Sequence, residues 1–167
     1  MRLIYFILSI GLFILINSVS IANDKIAFID LNYILSNSDS GKKILDQFQV
    51  DNKKNLEFFK LQEQKLNKEK DNIKKLQNIL SVEEYNNKKE KFKQTVDLYN
   101  QKKSKMIKLF EDNKNKELNT FFLDLNKIMN IFMKENSINL ILDKKNIIMA
   151  NNKSDISEEI LQLVNKK

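Results

Sequence analysis

The chain has 167 residues, with 29 Lys or Arg against 22 Asp or Glu, a net charge of +7, and neither histidine nor cysteine. Zinc sites of the usual His/Cys kind, Ser-His-Asp triads, Cys/His nucleophiles and disulfide staples are therefore excluded. There is no proline, and no glycine after Gly41, so the strongest helix breakers are missing from three quarters of the molecule.

Met1-Arg2, the apolar run Leu3–Ile16 and the small residues Ser20 and Ala22 form the tripartite pattern of a secretory signal peptide cleaved after Ala22. An uncleaved anchor is the alternative, but the run falls short of the ~20 apolar residues of a comfortable membrane span. No cysteine follows, which excludes a bacterial lipoprotein. The expected organisation is signal peptide 1–22, first strand and loop of a body 23–41, helical arm 42–136, and the rest of the body 137–167.

Lys25–Leu31 is rich in strand formers and predicts a strand buried on both faces, with a short helix starting at Leu31–Leu35. Ser36–Gly41 reads as a loop by composition. Beyond it, Lys42–Ser137 would be ~140 Å long as one helix, too long for a small domain, so it must protrude or fold back. Phe59, Leu66, Ile73 and Leu80 recur every seven residues, as do Tyr85, Phe92, Tyr99 and Met106, which argues for coiled-coil pairing with a thin seam. Ser81 and Glu84 form a potential capping box between the two series. A helical hairpin turning near 78–82 is expected, with legs of ~60 and ~80 Å; an exposed serine within one continuous helix is the alternative.

The stripe thickens at Leu118, Phe121, Phe122, Leu125, Ile128, Met129 and Phe132. Ile138–Asp143 then reads as a strand, Lys144-Lys145 as a turn and Asn146–Ala150 as a second strand of a β-hairpin. Ser154–Glu159 opens a final amphipathic helix with Asp155 or Ser157 as its cap. The fold class is α+β, mostly α: a long antiparallel helical hairpin emerging from a small β body. A body this small needs oligomerisation or another staple, and Phe28, Ile29, Leu140 and Leu142 are the candidate oligomerisation residues.

The order of these elements, with Lys25–Leu31 at one end and Leu140–Asp143, Ala150-Asn151 and Asp155-Ile156-Ser157 at the other, resembles the Skp/OmpH family of periplasmic chaperones over about residues 24–165. The resemblance implies a homotrimer whose strands form a central body. Its three helical arms would enclose a cavity that holds unfolded outer-membrane proteins without ATP or any cofactor. The chain departs from the pattern in having no arginine after Arg2, so contact with an anionic lipid or lipopolysaccharide surface would rest on lysine, without the fork of a guanidinium.

Lys42–Glu135 contains 22 lysines and 15 acids, a net of +7, which places the positive field on the arm. Toward its far end, Lys65–Lys93 has 9 lysines and 5 acids, a net of +4. Lys65, Lys68, Lys74, Lys75, Lys88, Lys89, Lys91 and Lys93 are candidates for steering clients. Phe58 is the best apolar candidate for client contact, because its neighbour Phe59 occupies the seam; Phe59, Phe92 and Tyr99 are expected to pack between the legs, and Met106 is a further candidate. A structural or adaptor coiled coil of the cell envelope is the second reading. A nucleic-acid binder is the third; the export signal and the interspersed acids argue against nucleic acid as a physiological partner. No phosphate-cradling glycine loop or catalytic carboxylate cleft is legible, so no enzyme activity is expected.

Overall fold

A computed structural model describes residues 25–166; the expected signal peptide and its cleavage point lie outside them. The elements are β1 (Lys25–Ile29), α1 (Leu31–Asn37), α2 (Asp39–Lys75), α3 (Val82–Glu135), β2 (Ile138–Asp143), two 3-10 turns (Lys144–Asn146 and Asn152–Ser154) and α4 (Ser157–Asn165). The fold is mixed α+β, with long helices and a small sheet.

The chain is helical earlier than its composition indicates. β1 stops at Ile29 because Asp30 caps α1, its carboxylate accepting the Tyr33 amide at 2.9 Å. Leu31 is thus helical, not the end of the strand. The expected loop Ser36–Gly41 is a sharp junction between two helices. Ser38 is fully buried and ends α1 while capping α2, its hydroxyl accepting the Gly41 amide at 3.1 Å. A polar serine-rich segment reads as loop, but serine is also the preferred N-cap, and here capping wins. Gly41 is required by proximity rather than by its φ: a β-carbon there would lie 1.9 Å from the Leu35 carbonyl oxygen.

α2 and α3 pack along each other as the two legs of the arm, joined through residues 76–81. The capping box is present: Ser81 Oγ accepts the Glu84 amide and Glu84 accepts the Ser81 amide at 3.1 Å. The Ser81 hydroxyl, donating to the Glu84 carboxylate at 2.7 Å, and then the Ser81 amide hold that carboxyl below its usual range. α3 has 54 residues against 37 in α2. At helical rise it is ~25 Å longer, and its last turns run on into the body. There Phe121 and Leu125 are buried, with Phe122, Met129, Phe132 and Met133 packed around them. Ile44 packs on the same core from α2, so the 42–136 arm segment contributes to the body at both of its ends.

The expected β-hairpin at 138–150 does not form. β2 pairs in parallel with β1 instead, with Ile26 opposite Leu140, Ala27 opposite Ile141, Phe28 opposite Leu142 and Ile29 opposite Asp143. Lys144-Lys145 lacks the glycine or asparagine that a two-residue hairpin turn requires. Asp143 instead accepts the Lys145 amide at 3.1 Å and pairs with its ammonium at 3.0 Å, and the chain coils into a 3-10 turn. Asn146–Ala150 therefore forms no second strand, and the sheet has two strands among the described residues. Parallel strands need a long crossover, and the whole arm supplies it.

α4 begins at Ser157 rather than at Ser154 or Asp155. The formal cap position is Ile156, but Asp155 acts from one residue earlier, accepting the Ser157 amide at 3.0 Å. Ser157 is not a cap: its hydroxyl accepts the Asp30 amide at 2.8 Å, tying α4 to the end of β1. The Ile156 amide donates to the Phe28 carbonyl at 3.0 Å in the same place. One core results, built from Ala27, Ile29, Ile34, Phe121, Leu125, Ile138, Ile156, Ile160 and Leu161.

Candidate functional site

Pleating divides the two-stranded sheet into unlike faces. Ala27, Ile29 and Ile141 pack on the core. Ile26, Phe28, Leu140 and Leu142 occupy the opposite face in adjacent register. Phe28 is buried there, with the Lys144 ammonium 5.9 Å from its ring centroid. Ile26, Leu140 and Leu142 are 50, 45 and 39% exposed. Beyond β2, Ile148 and Met149 stand fully in solvent. Of the four candidate assembly residues, Ile29 thus belongs to the chain's own core and Phe28 is covered, while Leu140 and Leu142 form an apolar surface. β1 was expected to be buried on both faces; Ile26 shows that one face is partly open.

A polar cluster closes the body edge nearby. Lys144 pairs with Asp155 at 2.9 Å, and the Tyr33 hydroxyl donates to Glu158 at 2.9 Å. Burial pushes the Asp155 carboxyl up, but hydrogen bonds from Ser157 and Lys144 outweigh it and leave the group below its usual range. These are contacts of fold closure: none of the described residues forms a His/Cys/Asp/Glu group able to hold a metal ion.

Along the arm, all eight candidate lysines are exposed, on both legs of the far half. Lys89 lies over the ring of Tyr85, 5.6 Å away; the other seven project from the helix surfaces. Phe58 is half-buried, not open. It meets Phe59 edge-on at 6.0 Å, and the Lys102 ammonium from the other leg sits 4.6 Å above its ring. Phe59 faces the opposite leg and is buried, while Phe92, Tyr99 and Met106 are half-buried.

Sequence reasoning missed the polar contact that joins the legs. Glu63 accepts from the Tyr99 hydroxyl and from the Lys103 ammonium, each at 2.7 Å. Hydrogen bonds from Lys103 and then Tyr99 hold the Glu63 carboxyl below its usual range, and Glu63 in turn raises Lys103. The signal lay in the spacing: Glu63 follows Phe59 by four residues and Lys103 follows Tyr99 by four, so opposite charges sit one helical turn from seam aromatics. Beside this contact runs a groove of about 350 Å³ lined by Leu56, Phe59, Ile107 and Phe110. Closer to the body, Phe48 and Phe110 meet edge to face at 6.3 Å.

This architecture has known counterparts. A crystal structure of an OmpH-like protein from Caulobacter crescentus CB15, described as a candidate outer membrane chaperone, superposes with a TM-score of 0.76 at 13% identity, over 87% of this chain and 86% of that one. At that identity the likeness concerns the fold. No curated protein matches the sequence. The sequence itself matches the family described as Outer membrane protein (OmpH-like) over residues 25–164. The chain therefore belongs to the OmpH-like family, the Skp/OmpH group of periplasmic chaperones.

Proposed function

We propose that the protein is an ATP-independent holdase of the periplasm, which it reaches after cleavage behind Ala22. In this reading three copies assemble through their bodies, and the arms surround a cavity in which unfolded outer-membrane proteins are kept apart. The observation that carries it is the contrast between a closed core and an arm that buries one residue, Phe59, between Lys42 and Thr120. Such an arm is nearly all surface, and its surface is basic.

Leu140 and Leu142, beside Phe28, support assembly by the outer sheet face, since a small body with exposed apolar strands gains by burying them against copies of itself. Ile29 would act only indirectly, by keeping the body folded. The client's apolar strands would otherwise aggregate edge to edge. Distributed weak contacts suffice to hold them: the eight arm lysines attract anionic clients, and Phe58 becomes available when Lys102 swings off its ring. The same lysines would meet an anionic lipid or lipopolysaccharide surface as point charges.

The test is suppression of aggregation of an unfolded barrel protein. Removing all of 42–135 would also remove Phe121 and Leu125 from the core, so the informative variant replaces residues 59–103 by a glycine-serine turn. It should remain folded and associated while losing protection of the client. Leu142→Lys should dissociate the assembly, because an unpaired buried charge costs several kcal/mol. A shortened arm that still protects fully would sink the holdase reading and favour an envelope spacer.

A further inference from the structure

The arm is not uniform along its length. From the body outward, the legs are joined by Phe48 on Phe110 at 6.3 Å, by the Lys102 ammonium over Phe58 at 4.6 Å, and by the Lys103 ammonium 5.2 Å from the ring of buried Phe59. The series ends at Glu63, held by Tyr99 and Lys103 at 2.7 Å each. Beyond it, from Gln64 to Leu98, no hydrogen bond, ion pair or ring contact links the two legs among the described residues. What remains there is a row of half-buried side chains: Leu66, Ile73, Leu76, Leu80, Tyr85, Phe92 and Val96. Ile79, Val82 and Leu98 on the same stretch are more than half exposed.

We propose that Phe59, Glu63, Tyr99 and Lys103 form a clasp that divides the arm, so that the legs stay paired from the body out to this point while the tip, Gln64–Leu98, opens as a separate unit. An ion pair alone, with Glu63 and Lys103 about half and a third exposed, is a weak fastener. Here it is joined by a second donor on the same carboxylate and lies over the one ring that the arm buries, so several weak terms act at one place. Local opening favours stretches held by few specific contacts, and the ring and polar contacts between the legs stop at Glu63. The tip is ~18–25 Å long at helical rise. If the chaperone reading holds, on which this consequence rests, three such tips set the width of the cavity mouth without disturbing the body.

The experiment is amide hydrogen exchange on the mature chain at neutral pH with no client present. Comparison is between the parent, Glu63→Ala and Lys103→Ala, with Glu57→Ala as a control at an exposed position on the same helix. Alanine keeps helix propensity high, so a change reports the lost contact. In the parent, amides of the tip should exchange about tenfold faster than those of 48–59 and 103–118, as expected for a separate low-stability unit. In Glu63→Ala and Lys103→Ala the fast region should extend several-fold faster exchange to residues 52–63 and 99–110, with 121–132 unchanged. Glu57→Ala should leave the boundary in place. Even protection along the whole arm of the parent, or an unmoved boundary in both clasp variants, overturns the proposal. Because no client takes part, either failure leaves the chaperone reading standing.

Discussion

The two ends of α3 lie on one continuous helix and have opposite roles. From Leu118 onward its apolar residues come in pairs and triplets, and Phe121 and Leu125 are buried against β1, β2 and α4. From Val82 to Glu117 apolar residues recur about once per turn and none is buried. A helix needs an apolar face roughly 100° wide to enter a core, whereas a narrower stripe supports only a seam. Width of the stripe, rather than helix propensity, separates body from arm.

The strongest way to break this contrast is to make the same kind of change in both regions. Leu125→Ala should cost about 2–5 kcal/mol, as large-to-small changes do at fully packed sites, and should unfold the body cooperatively in a denaturant titration. Phe59→Ala removes a larger side chain, but from a two-helix seam open to water. Its loss should leave the body's midpoint unchanged while loosening the arm. Equal shifts of the main transition by the two variants would mean that body and arm unfold as one unit.

Gly41→Ala probes the point where the arm leaves the body. The new methyl would meet the Leu35 carbonyl oxygen at 1.9 Å and the Ser38 hydroxyl at 2.7 Å. The backbone of α1 must give way, at about 1–3 kcal/mol, the usual cost of overpacking. Thermal unfolding should move accordingly, and an unchanged midpoint would show that α1 shifts freely against α2.

The smallest effect concerns acid. Glu63 has its pKa lowered in the fold, so its stabilising contacts are complete above the ordinary glutamate value of 4.5 and are lost as pH falls through the lower folded value. Lys103 is shifted the other way; its contribution holds below 10.5 and fades only as pH rises through its raised value. Between these limits the clasp is complete. Hydrogen exchange, corrected for intrinsic pH dependence, should rise at 52–63 and 99–110 on acidification in the parent. Glu63→Ala should show no further response there. A matching response in that variant would assign the acid effect to other carboxylates, such as Glu84 at the start of α3, which is lowered by its bonds from Ser81.

Local rules made much of the arm legible. The seven-residue series, the absence of breakers and the Ser81/Glu84 pair act within one or two helical turns, so they can be read from neighbours in the chain. The same rules misread Ser36–Gly41, where serine has equal standing as loop former and helix cap, and the choice fell to Ser38 because burial leaves its hydroxyl the Gly41 amide as partner. Glu63 was overlooked because its partners lie 36 and 40 residues away, on the returning leg.

By itself the sequence determined the helical arm, its capped return, its basic charge and the apolar segments at either end, because propensity, periodicity and capping are properties of short stretches. Only the tertiary structure decided that β2 pairs in parallel with β1 across the length of the arm rather than with Asn146–Ala150. Asp143 binds the Lys145 amide and turns the chain aside, while Ala27, Ile29 and Ile141 find one core with Leu125 and Ile160. Strand pairing depends on which apolar faces can be buried together, and that is settled by contacts more than a hundred residues apart.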